Sequence, residues 1–355
     1  MTLKSIFQRH QGKVSDKWLS YLDEWETLFV PFRDQEINLF EIGVHNGGSL
    51  EIWAKYFSRA KNLIGCDVNE ACGQLQFSDP RIAVITGDVN SDDVEGELTA
   101  LTNDLDILID DGSHHASDII HAFARYFKYL NPGGVYIIED LHTSYWQAFN
   151  GGLHSPYSAM GFLKHLSDLV NFEHWRNNSS RKRFLSPYET KYRVNFDETD
   201  LWSIHAVTFI NSLCVIQKKT PENNLLGRRI VVGSKEEVSE GYRKFNGASI
   251  HDFSYEIQAD ANLGHFYLLD HAEKIDAQLQ EYEEQIRALN QAIDALNRTN
   301  QDLAIKLTDQ IILIQENQQV IETLNAKLLA SDQLLAKNNR IIEEKTTQLN
   351  RTTDE

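Results

Sequence analysis

Two short apolar runs, residues 105–109 and 135–138, each end in a pair of acids, Asp110-Asp111 and Glu139-Asp140. Between them lies a helical pattern that closes on Asn131-Pro132-Gly133-Gly134. A continuous β-rich apolar run bounded by turn residues reads as a strand buried on both faces. A helix joining two such strands makes them parallel neighbours, with their carboxyl ends on one edge of the sheet. Ligands of open α/β sheets bind at that edge. The first acidic pair is followed by Gly112-Ser113-His114-His115, so several carboxylates and a histidine are expected side by side there. Acids can simply end strands. Two pairs on adjacent strands, however, concentrate charge at a cost on the order of several kcal/mol unless a cation or hydrogen bonds offset it.

The rest of the N-terminal half repeats the strand–helix alternation. Residues 38–43 (NLFEIG) read as a first strand, followed by the glycine-rich turn Val44-His45-Asn46-Gly47-Gly48-Ser49 and a helix through Trp53 and Phe57. Such a turn lets backbone approach a ligand and points helix N–H groups at it. Residues 62–66 (NLIGC) form a second strand ending at Asp67, about 20 residues past the glycine turn, where Rossmann-like folds place a carboxylate on ribose hydroxyls. Residues 81–86 form a third strand, followed by Gly87-Asp88. Asp88 is a candidate acceptor for an adenine amino group. Alternatively, Asp67 and Asp88 cap the segments that follow.

Residues 1–37 carry aromatic and apolar side chains at helical spacing (Trp18, Tyr21, Leu22, Trp25, Leu28, Phe29) up to Pro31. They read as a helix packed on the main domain, or as a cover for a cofactor. After Trp146, residues 147–157 read as a mobile loop over the site and 158–172 as a helix. Residues 176–200 read as polar and irregular, and 203–216 as a hairpin around Asn211-Ser212. The fold class is therefore α/β, a mostly parallel Rossmann-like sheet with a terminal antiparallel hairpin.

Charge and cysteine content narrow the partners. A net charge of -18 over 355 residues argues against nucleic acid and against a basic membrane-surface patch. Cys66, Cys72 and Cys214 are too few and too scattered for a disulfide framework or a zinc site. The first residues lack a secretory apolar core and no run is long enough to span a bilayer, so a cytoplasmic setting is expected.

From about Leu268 glycine and proline disappear and a heptad pattern takes over. Its a positions are Leu279, Ile286, Ile293, Asn300, Leu307, Ile314, Ile321, Leu328, Leu335, Ile342 and Leu349, ten of the eleven aliphatic. The d positions Ile275, Tyr282, Leu289, Leu296 and Leu303 give way to Gln310, Asn317, Leu324, Ser331, Asn338 and Lys345. This predicts a coiled coil on the order of 100 Å long, firm to about Leu307 and looser beyond, with Asn300 favouring a parallel dimer. The expected segments are 1–37, helical; 38–219, catalytic; 220–267, connecting, with a strand at 228–232 and a helix at 235–245; and 268–355, coiled coil.

Glu41-Ile-Gly, Ser49-Leu50, Asp110-Asp111-Gly-Ser-His114 and Ile138-Glu139-Asp140-Leu-x-Thr-Ser-Tyr-Trp146 resemble the metal-dependent sugar O-methyltransferases of macrolide biosynthesis. These are class I S-adenosylmethionine-dependent methyltransferases, with cephalosporin-hydroxylase-type and rhamnosyl O-methyltransferases as close relatives. The resemblance covers about residues 10–218. It implies S-adenosylmethionine at Glu41, Gly43, Gly47, Ser49, Asp67, Asp88 and Asp110, and Mg2+ or another hard divalent cation on Asp111, Glu139 and Asp140. It makes His114 the base and a sugar or glycoside hydroxyl the acceptor. His45 stands where many class I enzymes have the middle glycine of G-x-G-x-G. His115, His121 and His142 read as bystanders, and Tyr145-Trp146 as a sugar-stacking wall or a packed pair. A non-sugar acceptor, or an inactive domain serving a coiled-coil scaffold, are the alternatives. The coiled coil would join copies of the chain or dock it to other glycan-assembly proteins.

Overall fold

The computed structural model describes residues 1–252 and 263–353, with the side chains of the last segment described over 279–348. The elements are α1 (Leu3–Gln8), α2 (Leu19–Phe29), β1 (Asn38–Ile42), α3 (Gly48–Tyr56), β2 (Asn62–Asp67), β3 (Ile82–Thr86), α4 (Asp92–Leu101), β4 (Leu105–Asp110), α5 (Ala116–Tyr126), β5 (Leu130–Ile138), α6 (Ala159–Leu169), α7 (Arg181–Tyr192), α8 (Glu198–Trp202), β6 (Ile204–Ile210), β7 (Leu213–Lys218) and α9 (Leu263–Thr353). Short 3-10 turns connect several of them.

The strands form one sheet in the order β3-β2-β1-β4-β5-β7-β6. All run parallel except β7, which is antiparallel to both β5 and β6. Ile42 pairs with Asp110 and Asp110 with Ile138, so β1, β4 and β5 end level. The chain reverses its winding direction between β1 and β4, and the crevice of a doubly wound sheet opens at such a point.

Alternation along the strands builds a core on each face. Phe40, Leu108, Tyr136 and Ile138 pack with α4, α5, α6 and α7. Leu39, Ile107, Ile109, Val135 and Ile137 pack with α1, α2 and α3. The three cysteines are buried and form no disulfide.

Four expectations change. The N-terminal segment is two helices, α1 and α2, and the stretch between them crosses the carboxyl edge of the sheet instead of continuing as helix. Residues 176–200 are largely helical. Asn-Ser-rich flanks and Pro187 hid α7, but Ser180 caps its first turn and Arg181, Phe184, Leu185 and Tyr188 bury one face. The helix expected at 235–245 is a single 3-10 turn, Tyr242–Phe245. The strand expected at 228–232 is one bridge, Arg228 to Ser249. That segment holds exposed apolar side chains, among them Ile230, Val232 and Val238, and too little buried surface to fix longer elements.

Contacts divide the chain into Met1–Ala272 and Glu273–Glu355. In the second unit α9 continues unbroken, and its described aliphatic a and d side chains are exposed along their whole length. Ile275 and Leu349 lie outside the described side chains. Beyond Leu307 the apolar positions shift: Leu313, Val320, Leu334 and Ile341, at g, take over from the polar d positions. Among the described residues no helix is long and apolar enough to cross a membrane.

Candidate active site at the carboxyl edge of the sheet

A cavity of about 720 Å³ opens at the crevice, walled by the ends of β1, β2, β3 and β4 and by the stretch Val14–Lys17. Gly43 turns the chain out of β1 at φ +94°, and a Cβ there would lie 2.1 Å from the Asp111 carbonyl oxygen, so only glycine lets the two loops touch. Gly47 sits at the N-cap of α3 with φ +80°.

Asp67 braces this turn. Its Oδ2 accepts from the Val44 and His45 amides at 2.9 Å each, and Oδ1 from the Asn69 amide at 2.9 Å. Burial would raise the Asp67 pKa, but these three amides overcome it and hold the carboxyl below the usual range. His45, at φ +49°, occupies its strained position with its amide on Asp67. Asp88 accepts from the Asn90 amide at 2.9 Å. Gly43, Ser49, Asp67, Asp88, Asp110 and Asp111 all line the cavity. Glu41 and Gly47 stand outside its wall. Glu41 is fully buried beneath it, with Oε2 accepting from Ser49 Oγ at 2.8 Å and Trp53 Nε1 at 3.1 Å. Burial pushes its carboxyl up to about 7, opposed by Lys17. Asp110 is pushed up to about 6 by burial, against a hydrogen bond from the Tyr136 hydroxyl at 3.0 Å.

At the acidic end, Asp111, His114 and Asp140 offer ligand atoms that all lie within 4.8 Å of one another. His114 Nε2 is 4.0 Å from Asp111 Oδ1 and 3.8 Å from Asp140 Oδ2. Burial lowers the His114 pKa, although Asp111 and Asp140 pull it up. Asp140 adopts a left-handed backbone, φ +53°, which turns its side chain out over the cavity. Its Oδ1 accepts from Trp18 Nε1 and the Tyr21 hydroxyl, each at 2.9 Å.

Glu139, expected to share a cation with Asp111 and Asp140, is buried and joined to Asp111 through Lys17. The Lys17 ammonium takes both its oxygens, at 2.9 and 3.0 Å, and also donates to Asp111 Oδ2. Burial would lower the Lys17 pKa; attraction by Glu139, Asp111 and Glu41 reverses this and keeps it charged. The sequence reading missed Lys17, and it placed Trp18 and Tyr21 in a helix that packs on the domain or covers a cofactor. The available signal was a lysine next to that aromatic pattern, which becomes meaningful only once the chain is folded over the acids.

The donor set of Asp111 and Asp140, partly exposed and rich in oxygen, suits a hard divalent cation that keeps some water. His114 is the third group within reach. The carboxylates of Asp16, Asp67, Asp88, Asp110 and Asp111 line the cavity, a negative wall that suits a cationic sulfonium cofactor.

Residues 40–141 match the family model described as "Methyltransferase domain". Among curated proteins, the chain is 36% identical over 177 residues to the 8-demethyl-8-alpha-L-rhamnosyl tetracenomycin-C 2'-O-methyltransferase of Streptomyces olivaceus, covering 47% of this chain and 46% of the relative. It is 31% identical over 181 residues to the demethylmacrocin O-methyltransferase of Streptomyces fradiae, covering 47% and 45%. The chain thus spans about half the length of these curated relatives. Among solved structures, the MycE methyltransferase from the mycinamycin biosynthetic pathway, in complex with Mg and SAH, superposes with a TM-score of 0.51 at 24% identity, over 69% of this chain and 58% of that one. Its fold is the one described above. Residues 40–141 thus match a methyltransferase domain, carried on a Rossmann-like sheet of the same fold as that solved methyltransferase.

Proposed function

We propose that the protein is an S-adenosylmethionine- and divalent-cation-dependent O-methyltransferase acting on a sugar hydroxyl. The observation that carries this reading is the half-buried imidazole of His114 held between Asp111 and Asp140 at the mouth of the acid-lined cavity. The similarity to rhamnosyl and macrolide-sugar O-methyltransferases supports the acceptor class.

A sugar hydroxyl holds its proton far above neutral pH and needs a base in the transition state. His114 Nε2 takes that proton, a contribution typically of about 10²–10⁴-fold. Asp111 and Asp140 would hold the cation, Mg2+ or a similar hard ion, and Glu139 would join them only if Lys17 moved aside. When bound, the cation lowers the pKa of a coordinated hydroxyl, and S-adenosylmethionine supplies the methyl group on sulfur. The chain's own part is positioning. Gly43 lets the backbone close on the ligand, Asp67 fixes the glycine turn, and Lys17 locks Asp111 against β5. In-line transfer depends on such alignment.

The exposed apolar stripe of α9 supports a second element of the reading: two copies of the chain pair through a parallel coiled coil, firm up to Leu307. The test of the enzyme is calorimetric titration with S-adenosylmethionine, with and without Mg2+, followed by methyl transfer to glycosides with and without EDTA. Micromolar cofactor binding with EDTA-sensitive transfer is expected. Full activity in EDTA would refute the cation, and absence of cofactor binding by folded protein would refute the enzyme.

A further inference from the structure

Beside His114 and Asp140, but outside the cofactor cavity, a run of aromatic rings follows the rim. Trp18 and Trp146 are 59% and 51% exposed, a large cost in unburied apolar surface for a site that binds nothing. The rings touch in sequence. Trp18 meets His142 edge-on at 6.0 Å and 89°. His142 meets Trp146 at 5.0 Å and 70°, and Trp146 meets Phe149 at 5.9 Å and 54°. Phe149 lies 5.1 Å from His115, next to His114.

The run is fixed at both ends and in the middle. Trp18 Nε1 donates to Asp140 Oδ1, whose partner oxygen faces His114. His142 Nδ1 pairs with Ser212 Oγ at 2.7 Å, in the turn between β6 and β7. The loop that carries Trp146 and Phe149 is closed by amides of Gly151 on the Trp146 carbonyl, 3.0 Å, and of Gly152 on the Ser144 carbonyl, 2.9 Å. A Cβ on Gly151 would lie 2.3 Å from the Ser144 carbonyl oxygen, so this closure depends on the glycine.

We infer that Trp18, His142, Trp146 and Phe149 form the acceptor subsite, a platform on which a pyranose ring lies by its C–H face while one hydroxyl reaches His114 and Asp140. This rests on the methyltransferase reading above and adds the surface that selects the acceptor. The shape favours a sugar over a flat aromatic acceptor. Successive rings here are inclined to one another by 89°, 70° and 54° and make a corrugated surface, with no parallel-walled slot between them for a planar ring. A pyranose is puckered, apolar on one face and edged with hydroxyls, which matches rings flanked by carboxylates.

The experiment is saturation-transfer NMR on the full chain loaded with S-adenosylhomocysteine, with methyl α-L-rhamnopyranoside and 4-methylcatechol as probes. It compares wild type, Trp146→Ala and Trp146→Phe. The platform predicts transfer to the ring C–H protons of the rhamnoside, weakened about three- to tenfold in affinity by Trp146→Ala and restored by Trp146→Phe. Affinity for S-adenosylhomocysteine stays unchanged, because Trp146 does not line that cavity. Rhamnoside binding that is indifferent to Trp146 overturns the platform. No rhamnoside binding, or binding of the catechol alone, overturns it too. Methyl transfer from S-adenosylmethionine to the rhamnoside by wild type is scored separately: transfer without Trp146 dependence removes the platform and leaves the enzyme, whereas Trp146-dependent binding without transfer does the reverse.

Discussion

The Lys17 ammonium lies 2.9 Å from Oε1 and 3.0 Å from Oε2 of Glu139, a residue 122 positions along the chain. It ties the N-terminal segment to the end of β5 and supplies the cation that makes a buried glutamate tenable. Removing one partner of a buried ion pair leaves the other uncompensated. Lys17→Met is therefore expected to cost about 3–5 kcal/mol of stability. Lys17→Met with Glu139→Gln should recover most of that loss. Urea unfolding of the two variants checks this, and equal stability of single mutant and wild type would remove Lys17 from the structural account.

Glu41 gives a pH-dependent prediction. Its folded pKa, near 7, is raised from 4.5 by burial, so the folded state favours the protonated form. The stability linked to it is fully present below about pH 4.5 and is lost as pH rises through 7. A rise of that size corresponds to about 3 kcal/mol. Glu41→Gln keeps acceptors for Ser49 and Trp53 and removes the charge. Its melting temperature should match wild type near pH 5 and exceed it near pH 8.5. A difference that does not change with pH would contradict the ionisation argument.

His114 should be needed for turnover and not for cofactor affinity. His114→Ala is expected to lower kcat by about 10²–10⁴-fold with S-adenosylmethionine binding retained. Because burial lowers its pKa below 6.5 and the neutral form is the base, the wild-type rate should fall only on the acid side of that value. Near wild-type turnover by the alanine variant would reject the role.

The long helix predicts an association state. A chain ending at residue 252 should sediment as a smaller oligomer than the full chain. Leu289→Asp or Leu296→Asp, at exposed d positions of the firm half, should have the same effect in the intact protein, whereas Asn338→Asp, at a polar d position, should not. An unchanged sedimentation coefficient for all of them would place any self-association elsewhere.

The strands, their order of appearance and the hairpin around Ser212 were legible because a buried strand is written as a local apolar run with its own turn residues. The acids at or just past the ends of β2, β3, β4 and β5 were legible for the same reason: parallel neighbours must end on one edge. Helix α7 was not, because Pro187 and a polar surround masked a face that shows itself only when Phe184, Leu185 and Tyr188 have something to pack against. The contacts that shape the site were further out of reach. Lys17 on Glu139, Trp18 and Tyr21 on Asp140, and His142 on Ser212 join residues 70 to 122 apart, and no local period encodes such pairs. The sequence by itself determined the sheet and the set of carboxylates along its edge. Only the tertiary structure decided which carboxylate faces the cavity and which is neutralised by a lysine, because burial and charge pairing are set by what folds across the edge.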